Sequence, residues 1–189
     1  MFVLTVLYYQ LPKAMGMAGG IQCGQCLGAG DVHHARQACW RGIVSPVLLS
    51  IGVALLVIYA DGAASYAAEL IVTASVNNRT RAVVDFVVVS SVPMALSLIG
   101  FSMMMPSIFI LNGCGRNKEG TLITFVACWC VGIPAACVLA FQWELGLYGI
   151  WCGNAIGLGC GGAMGVLRLS RMDWNEEVVL VRKRLLLAS

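Results

Sequence analysis

The sequence predicts an all-α membrane protein, a bundle of about five transmembrane helices, and three observations carry that reading. Apolar residues make up 59% of the 189 residues and charged residues only 11%, against about 25% charged in an average soluble domain. No Asp, Glu, Lys or Arg occurs in Gly42–Ala60, Phe86–Gly115, Gly120–Trp143 or Leu145–Leu167. The remaining charges gather in the gaps between these stretches. Runs of roughly 18 or more apolar residues cross a hydrocarbon core about 30 Å thick. A soluble helix of that length would carry charge along its outward face, and these stretches have no such face.

A further span precedes the four obvious ones. Residues 2–27 carry a single charge, Lys13, and end in the turn-rich Gly28-Ala29-Gly30-Asp31. The expected helices are therefore about 2–27, 42–60, 86–111, 121–142 and 147–168. They make one bundle over 1–172, followed by a short basic cytoplasmic tail at 173–189. Pro12, Pro46, Pro93, Pro106 and Pro134 fall within the first four spans. Membrane helices tolerate such breaks because neighbours re-satisfy the freed carbonyls, and broken helices can line a substrate path.

Glycines recur at four-residue spacing in the first span (Gly16, Gly20, Gly24, Gly28) and the last (Gly149, Gly153, Gly157, Gly161, Gly165). Four residues advance a helix by about 400°, so each set forms a slowly drifting groove. Such grooves admit a partner backbone at close range. They predict helix packing by Gly16, Gly20, Gly24, Gly153, Gly157 and Gly161, with sliding surfaces for a conformational cycle as the sharper alternative.

Loop charges orient the bundle. Arg36, Arg41, Arg116, Lys118, Arg168, Arg171, Arg182, Lys183 and Arg184 fall on one side, Arg79 and Arg81 on the other with Asp61, Glu69, Asp85 and Glu144. Basic loops stay inside, which predicts a multi-pass protein with a cytoplasmic C-terminus. Five spans then place the N-terminus outside, and the expectation follows that further helices lie upstream. Met1–Tyr9 lacks the basic start and small-residue cleavage site of a signal peptide. Asn78-Arg79-Thr80 is a glycosylation sequon on the expected outer side.

The formal charge of +3, with no basic stripe interleaved with aromatics, argues against a nucleic-acid partner. Most of the nine cysteines lie in apolar spans, where thiols behave as small hydrophobes. Cys23-Gly-Gln-Cys26 has the spacing of a redox or metal pair, but no second pair accompanies it, so no metal site and no catalytic residue is expected. His33-His34 beside Asp31 reads as a solvated loop.

Specific words in the loops carry a resemblance. Pro12 is followed by small residues, Gly24-Gln25-Cys26-Leu27-Gly28-Ala29-Gly30-Asp31 and Ala35-Arg36. Further on stand Pro93-Met-Ala-Leu-Ser97, Asn112-Gly113-Cys114-Gly115-Arg-Asn-Lys118, Val131-Gly132-Ile133-Pro134, Leu145-Gly-Leu-Tyr-Gly-Ile-Trp151-Cys-Gly153 and Arg171-Met-Asp173-Trp174. In order and spacing, from Leu11 to Glu177, they resemble helices eight to twelve of eukaryotic multidrug and toxic compound extrusion (MATE) transporters, the C-terminal lobe without its first helix.

That resemblance implies half of a two-lobed, twelve-helix fold around a central cavity. It implies secondary antiport of organic cations or drug-like xenobiotic compounds in exchange for H⁺ or Na⁺, with no other cofactor. Membrane lipid and a missing N-terminal lobe or second chain are the implied partners. Departures from the family pattern accompany it. The tenth helix's frequent Asp and Gln fall at Phe101 and Met104, an Arg is replaced by Asn112, and the eighth helix's usual Arg is Gln22. No carboxylate lies inside any span, so a carboxylate proton relay has no candidate in these residues. The expected function is MATE-type export by an incomplete half, not enzymatic; the alternative is a non-transporting membrane fragment or a packing or regulatory subunit.

Four residues are the substrate or cavity candidates. Lys13 sits inside a span, where a lysine costs on the order of 3 kcal/mol. It either faces an acidic partner across a cavity or snorkels to the outer interface. Gln22 and Gln25, three residues apart, share a helix face and either line the cavity or bond helices together. Trp129 can offer an aromatic face to an organic cation. Trp143, Tyr148 and Trp151 fit an interfacial belt instead, and Met103-Met104-Met105 suits either promiscuous binding or packing.

Overall fold

The computed structural model describes the backbone of residues 2–75 and 78–188 and the side chains of residues 9–56, 59, 92–181 and 183. Six helices follow in chain order: α1 (Phe2–Ala29), α2 (Val32–Ser75), α3 (Asn78–Gly113), α4 (Asn117–Gln142), α5 (Gly146–Ser170) and α6 (Trp174–Ala188). Among the described residues, Val32–Leu56, Val92–Gly113, Asn117–Gln142 and Gly146–Ser170 are long and apolar enough to cross a membrane. The 28 residues of α1 extend roughly 42 Å at 1.5 Å per residue and pack alongside them.

The helices outrun the apolar stretches that announce them. α2 continues to Ser75 and α3 begins at Asn78, whereas the charges of 61–85 suggested a long connection. Segment 61–75 is rich in alanine and free of proline, so it keeps helical propensity after losing apolarity. Charge marks the edge of the bilayer, not the end of a helix. The side chains of the sequon at 78–80 and of Asp61, Glu69, Arg81 and Asp85 lie outside the described residues.

Two turns at one end of the bundle use the same device. Gly30 (φ 84°) and Gly115 (φ 76°) adopt left-handed backbone, and the N–H of the next residue reaches back to close the helix, Asp31 to the Cys26 oxygen and Arg116 to the Leu111 oxygen. Glycine suits that conformation because it has no Cβ to clash. Asp31 then caps α2, its Oδ1 accepting the His34 N–H at 3.0 Å and its Oδ2 meeting His34 Nδ1 at 2.6 Å. His33 and His34 therefore belong to the first turn of α2, not to an open loop.

α3 is the central helix, packed by α1, α2 and α5, while α4 rests mainly on α5. The glycine stripes form these seams. A methyl group added at Gly16 would lie 2.7 Å from Pro106 Cα, at Gly20 2.5 Å from the Phe109 oxygen, and at Gly24 2.9 Å from the Gly113 oxygen. On α5, one added at Gly153 would meet Ala136 backbone at 2.3 Å, at Gly157 Gly132 Cα at 2.7 Å, and at Gly161 Met104 sulfur at 2.6 Å. At Gly16, Gly20, Gly24, Gly153 and Gly157 backbone meets backbone, the mode of close packing that lipid-embedded helices favour, whereas Gly161 makes room for the Met104 side chain.

Pro12, Pro46, Pro93 and Pro106 are buried within helices. Pro134 is exposed, and the helix widens on both sides of it, at 126–132 and 138–142, into turns that bond five residues back. Proline offers no N–H and its ring crowds the carbonyl of the preceding turn; a wider turn relieves both. Buried Ser50, Ser97, Ser102 and Ser107 donate to carbonyls of their own helices, so they cost little in an apolar interior.

The segment expected as a basic tail is the helix α6. Trp174 and Val178 enter the main core cluster beside Cys23, Leu27, Cys39 and Leu169. Their four-residue spacing puts them on one face, a signal too short to stand out against the following Arg182-Lys183-Arg184.

Candidate functional site

Two adjoining grooves share one residue, Asn112. The first, about 550 Å³, is lined by Met17, Gly20, Gly24, Gln25, Phe109 and Asn112 among others, where α1 lies against the end of α3. The second, about 330 Å³, is lined by Ile108, Asn112, Thr121, Thr124, Phe125 and Trp129, where α3 meets α4. Glycines on α1 keep the first groove shallow and open. On α4, the Phe125 and Trp129 rings stack with centroids 6.4 Å apart, one turn removed from each other. The face combines amide, hydroxyl and aromatic groups in an apolar setting, the mixture that small-molecule sites use for orientation and contact.

Of the four residues named from sequence, Gln25 and Trp129 line these grooves. Lys13 is exposed one turn before Met17, on the same side of α1 by helical spacing. Gln22 is exposed and lines neither groove. Asn112, Thr121 and Thr124 were not singled out as site residues, although Asn112 had been marked as a departure from the family pattern. Isolated threonines in an apolar span give a weak signal, since they bond to their own helix, as Thr121 does to Asn117 and Thr124 to Gly120.

A second polar cluster lies between α1, α3 and α5. The Tyr9 hydroxyl and Ser97 Oγ are 3.2 Å apart, the Asn154 side chain lies near the same hydroxyl, and the Tyr9 ring stacks on Phe101 at 4.3 Å. Asn154 lines a small apolar pocket with Gly132, Ile133 and Gly157. Met104, at the other family-variant position, is buried against Ala127 and Leu158.

The end bearing the two glycine turns is strongly ionic. Arg116 Nε donates to Glu177 Oε1 at 2.7 Å, with Nη2 on the same oxygen, and Nη1 donates to Glu119 at 2.6 Å. Arg168 grips the two oxygens of Glu119 at 2.7 and 3.1 Å. Glu177 is 1% exposed and its Oε2 has no hydrogen-bond partner among the described residues. The bond from Glu177 holds Arg116 more firmly protonated than an ordinary arginine. This network clasps α6 to the α3–α4 turn and to the end of α5. Its members come from three separate segments, with only Arg116 and Glu119 neighbours in sequence, so local spacing announced that pair and not the network.

The cysteines pair differently from their spacing. Cys23 Sγ lies 3.9 Å from Cys114 Sγ across the α1–α3 seam, and the contact with Cys23, followed by burial, pushes the Cys114 thiol up. Among the described residues no three His, Cys, Asp or Glu side chains gather as metal ligands would.

The family model described as MatE matches residues 1–138. Protein DETOXIFICATION 4 of Arabidopsis thaliana is 28% identical over 184 residues, 96% of this chain and 36% of that protein. Multidrug and toxin extrusion protein 1 of Homo sapiens is 25% identical over 155 residues, covering 82% of this chain and 26% of its own length. The crystal structure of eukaryotic MATE transporter AtDTX14 superposes on 95% of this chain and 38% of its own, with TM-score 0.81 and 26% identity. The chain thus spans about a third of the length of the relatives it matches.

Proposed function

This chain belongs to the MatE family, and from that membership we propose that it forms part of a secondary antiporter exporting organic or xenobiotic compounds in exchange for H⁺ or Na⁺. The observation that carries the reading is the shared architecture with AtDTX14, TM-score 0.81 over 95% of the chain. It is an integral, multi-pass membrane protein, and two of its relatives carry names that denote extrusion or transport.

On this reading the two grooves meeting at Asn112 line part of the substrate path. Trp129 and Phe125 supply aromatic faces that attract organic cations, and Gln25, Asn112 and Thr121 supply hydrogen bonds. Lys13 disfavours cationic substrates near it unless an acidic partner answers its charge. With no carboxylate inside the charge-free stretches, and Glu119 at the start of α4 engaged by Arg116 and Arg168, ion coupling falls to groups on further helices, from an N-terminal lobe or a second chain. The C-terminus is cytoplasmic, following the basic loops.

The test is exchange in proteoliposomes. Vesicles with the chain and an N-terminal lobe from a relative should export a fluorescent cation when a pH or Na⁺ gradient is imposed, and the chain alone should not. Trp129→Ala should lower the initial rate about tenfold, the worth of one aromatic contact with a bound cation. Absence of gradient-driven flux in every pairing would reduce the chain to a packing subunit.

A further inference from the structure

The arginines at the ionic end are of two kinds. Arg116 and Arg168 are held by carboxylates. Arg36 and Arg171 are exposed, form no ion pair among the described residues, and line one cleft of about 430 Å³. The cleft lies where the first turns of α2 meet the α5–α6 turn, with Trp40 and Leu169 as apolar wall and Ser170 as a hydroxyl. Asp173 is the one carboxylate among its lining residues. It is partly engaged, since its Oδ1 accepts the Asn175 N–H at 3.0 Å.

Two guanidiniums sharing a cleft with one carboxylate leave a net positive site, and guanidinium forks match phosphate oxygens. What lies below them distinguishes the source of that phosphate. Arg36, Trp40, Val44 and Leu48 follow at four-residue intervals, so they run down one drifting side of α2. Val44 and Leu48 are 48% and 64% exposed, and they sit within the apolar window Val32–Leu56. The stripe therefore reads charge, interfacial indole, then bare aliphatic surface descending into the bilayer. That is the profile of an amphiphile. Free phosphate would use only its upper end.

The geometry points to a binding site for an anionic phospholipid, its phosphate between Arg36 and Arg171 and its acyl chains along Val44 and Leu48. Basic pockets between transmembrane helices at the cytoplasmic interface recognise such headgroups. Arg41, exposed on the same helix but absent from the cleft lining, provides an internal control for general surface charge.

The experiment measures lipid retained by the purified full chain in mixed micelles of equimolar phosphatidylglycerol and phosphatidylcholine, read by native mass spectrometry. The expected result is retained phosphatidylglycerol, weakened about fivefold by R36Q or R171Q and about twenty-five-fold by both, with R41Q unchanged. R36K/R171K, which keeps charge but loses the forks, should fall between and serves if the glutamine variants do not fold. Equal retention of the two lipids, or an R41Q loss matching R36Q, would overturn the site. So would displacement of the lipid by millimolar inorganic phosphate, which would make the cleft a soluble-phosphate site.

Discussion

α3 and α4 are the two most apolar spans among the described residues, yet 61% of the apolar window of α3 is buried and only 11% of that of α4. The more apolar of the two is the more exposed. α3 has α1, α2 and α5 around it, and it receives the glycines of α1 against its backbone and those of α5 against Met103, Met104 and Ser107. α4 offers one stripe of small residues, Ala127 and Gly132, to α5 and turns Leu122, Phe125, Trp129 and Phe141 outward. In a bilayer, hydropathy measures compatibility with lipid. Burial among neighbours is decided by small residues that let backbones approach, because lipid tails are as apolar as leucine.

The largest effect should come from spoiling an α3 seam. Gly20→Leu drives a side chain into the Phe109 carbonyl and should cost about 3 kcal/mol, the upper end of overpacking, seen as early thermal unfolding in detergent. Gly159 has nothing within 4 Å of an added methyl, so Gly159→Ala should be neutral or stabilise by up to about 1 kcal/mol through helix propensity. If both variants unfolded alike, close backbone contact would not be what holds α3 in place.

Glu177→Ala comes next, because it removes the clasp at the turn joining α3 to α4. Glu177 is 1% exposed but Arg116 is 24% exposed and keeps Glu119. The loss is therefore discounted from that of a fully buried pair to about 2 kcal/mol, with α6 the first segment to gain proteolytic sensitivity. Trp129→Ala, on the outward face of α4, should change stability by about 0.5 kcal/mol or less, since the ring is 64% exposed. A cost as large as that of Gly20→Leu would show that α4 is covered in the assembled protein.

The smallest effect lies at the α1–α2 turn, remote from the α3–α4 contrast. The His34 N–H, then the His34 side chain, hold the Asp31 carboxyl below its ordinary value of 3.8. Its contribution is therefore complete above pH 3.8 and disappears as pH falls through the lower folded-state value. Amide exchange at His34, corrected for intrinsic rates, should lose protection only in that acid range, while amides along α3 are unaffected.

Much of this was legible because it is written at short range. The charge-free stretches announced membrane helices, and the four-residue glycine spacing announced seams whose partners the fold supplies. Gln25 and Trp129 were recognisable as polar or aromatic groups within spans, and both line the grooves at Asn112. Other features were illegible for a physical reason. Cys23 invited pairing with Cys26, three residues away, but meets Cys114 across the bundle. The Arg116–Glu119 pair is local, but no periodicity relates it to Arg168 and Glu177, which complete the network.

The sequence by itself determined that the chain is helical, that it lies in a bilayer, and which helix faces admit close neighbours. These follow from hydropathy and from the absence of side chains at glycine, both local properties. Only the tertiary structure decided which apolar helix became the centre and which the flank. It also seated the basic tail as a helix on the core, and it separated Arg116 and Arg168, held by carboxylates, from Arg36 and Arg171, which share a cleft and form no ion pair among the described residues. Those outcomes depend on which distant surfaces meet, and hydropathy is blind to that because lipid and protein interior are alike to an apolar side chain.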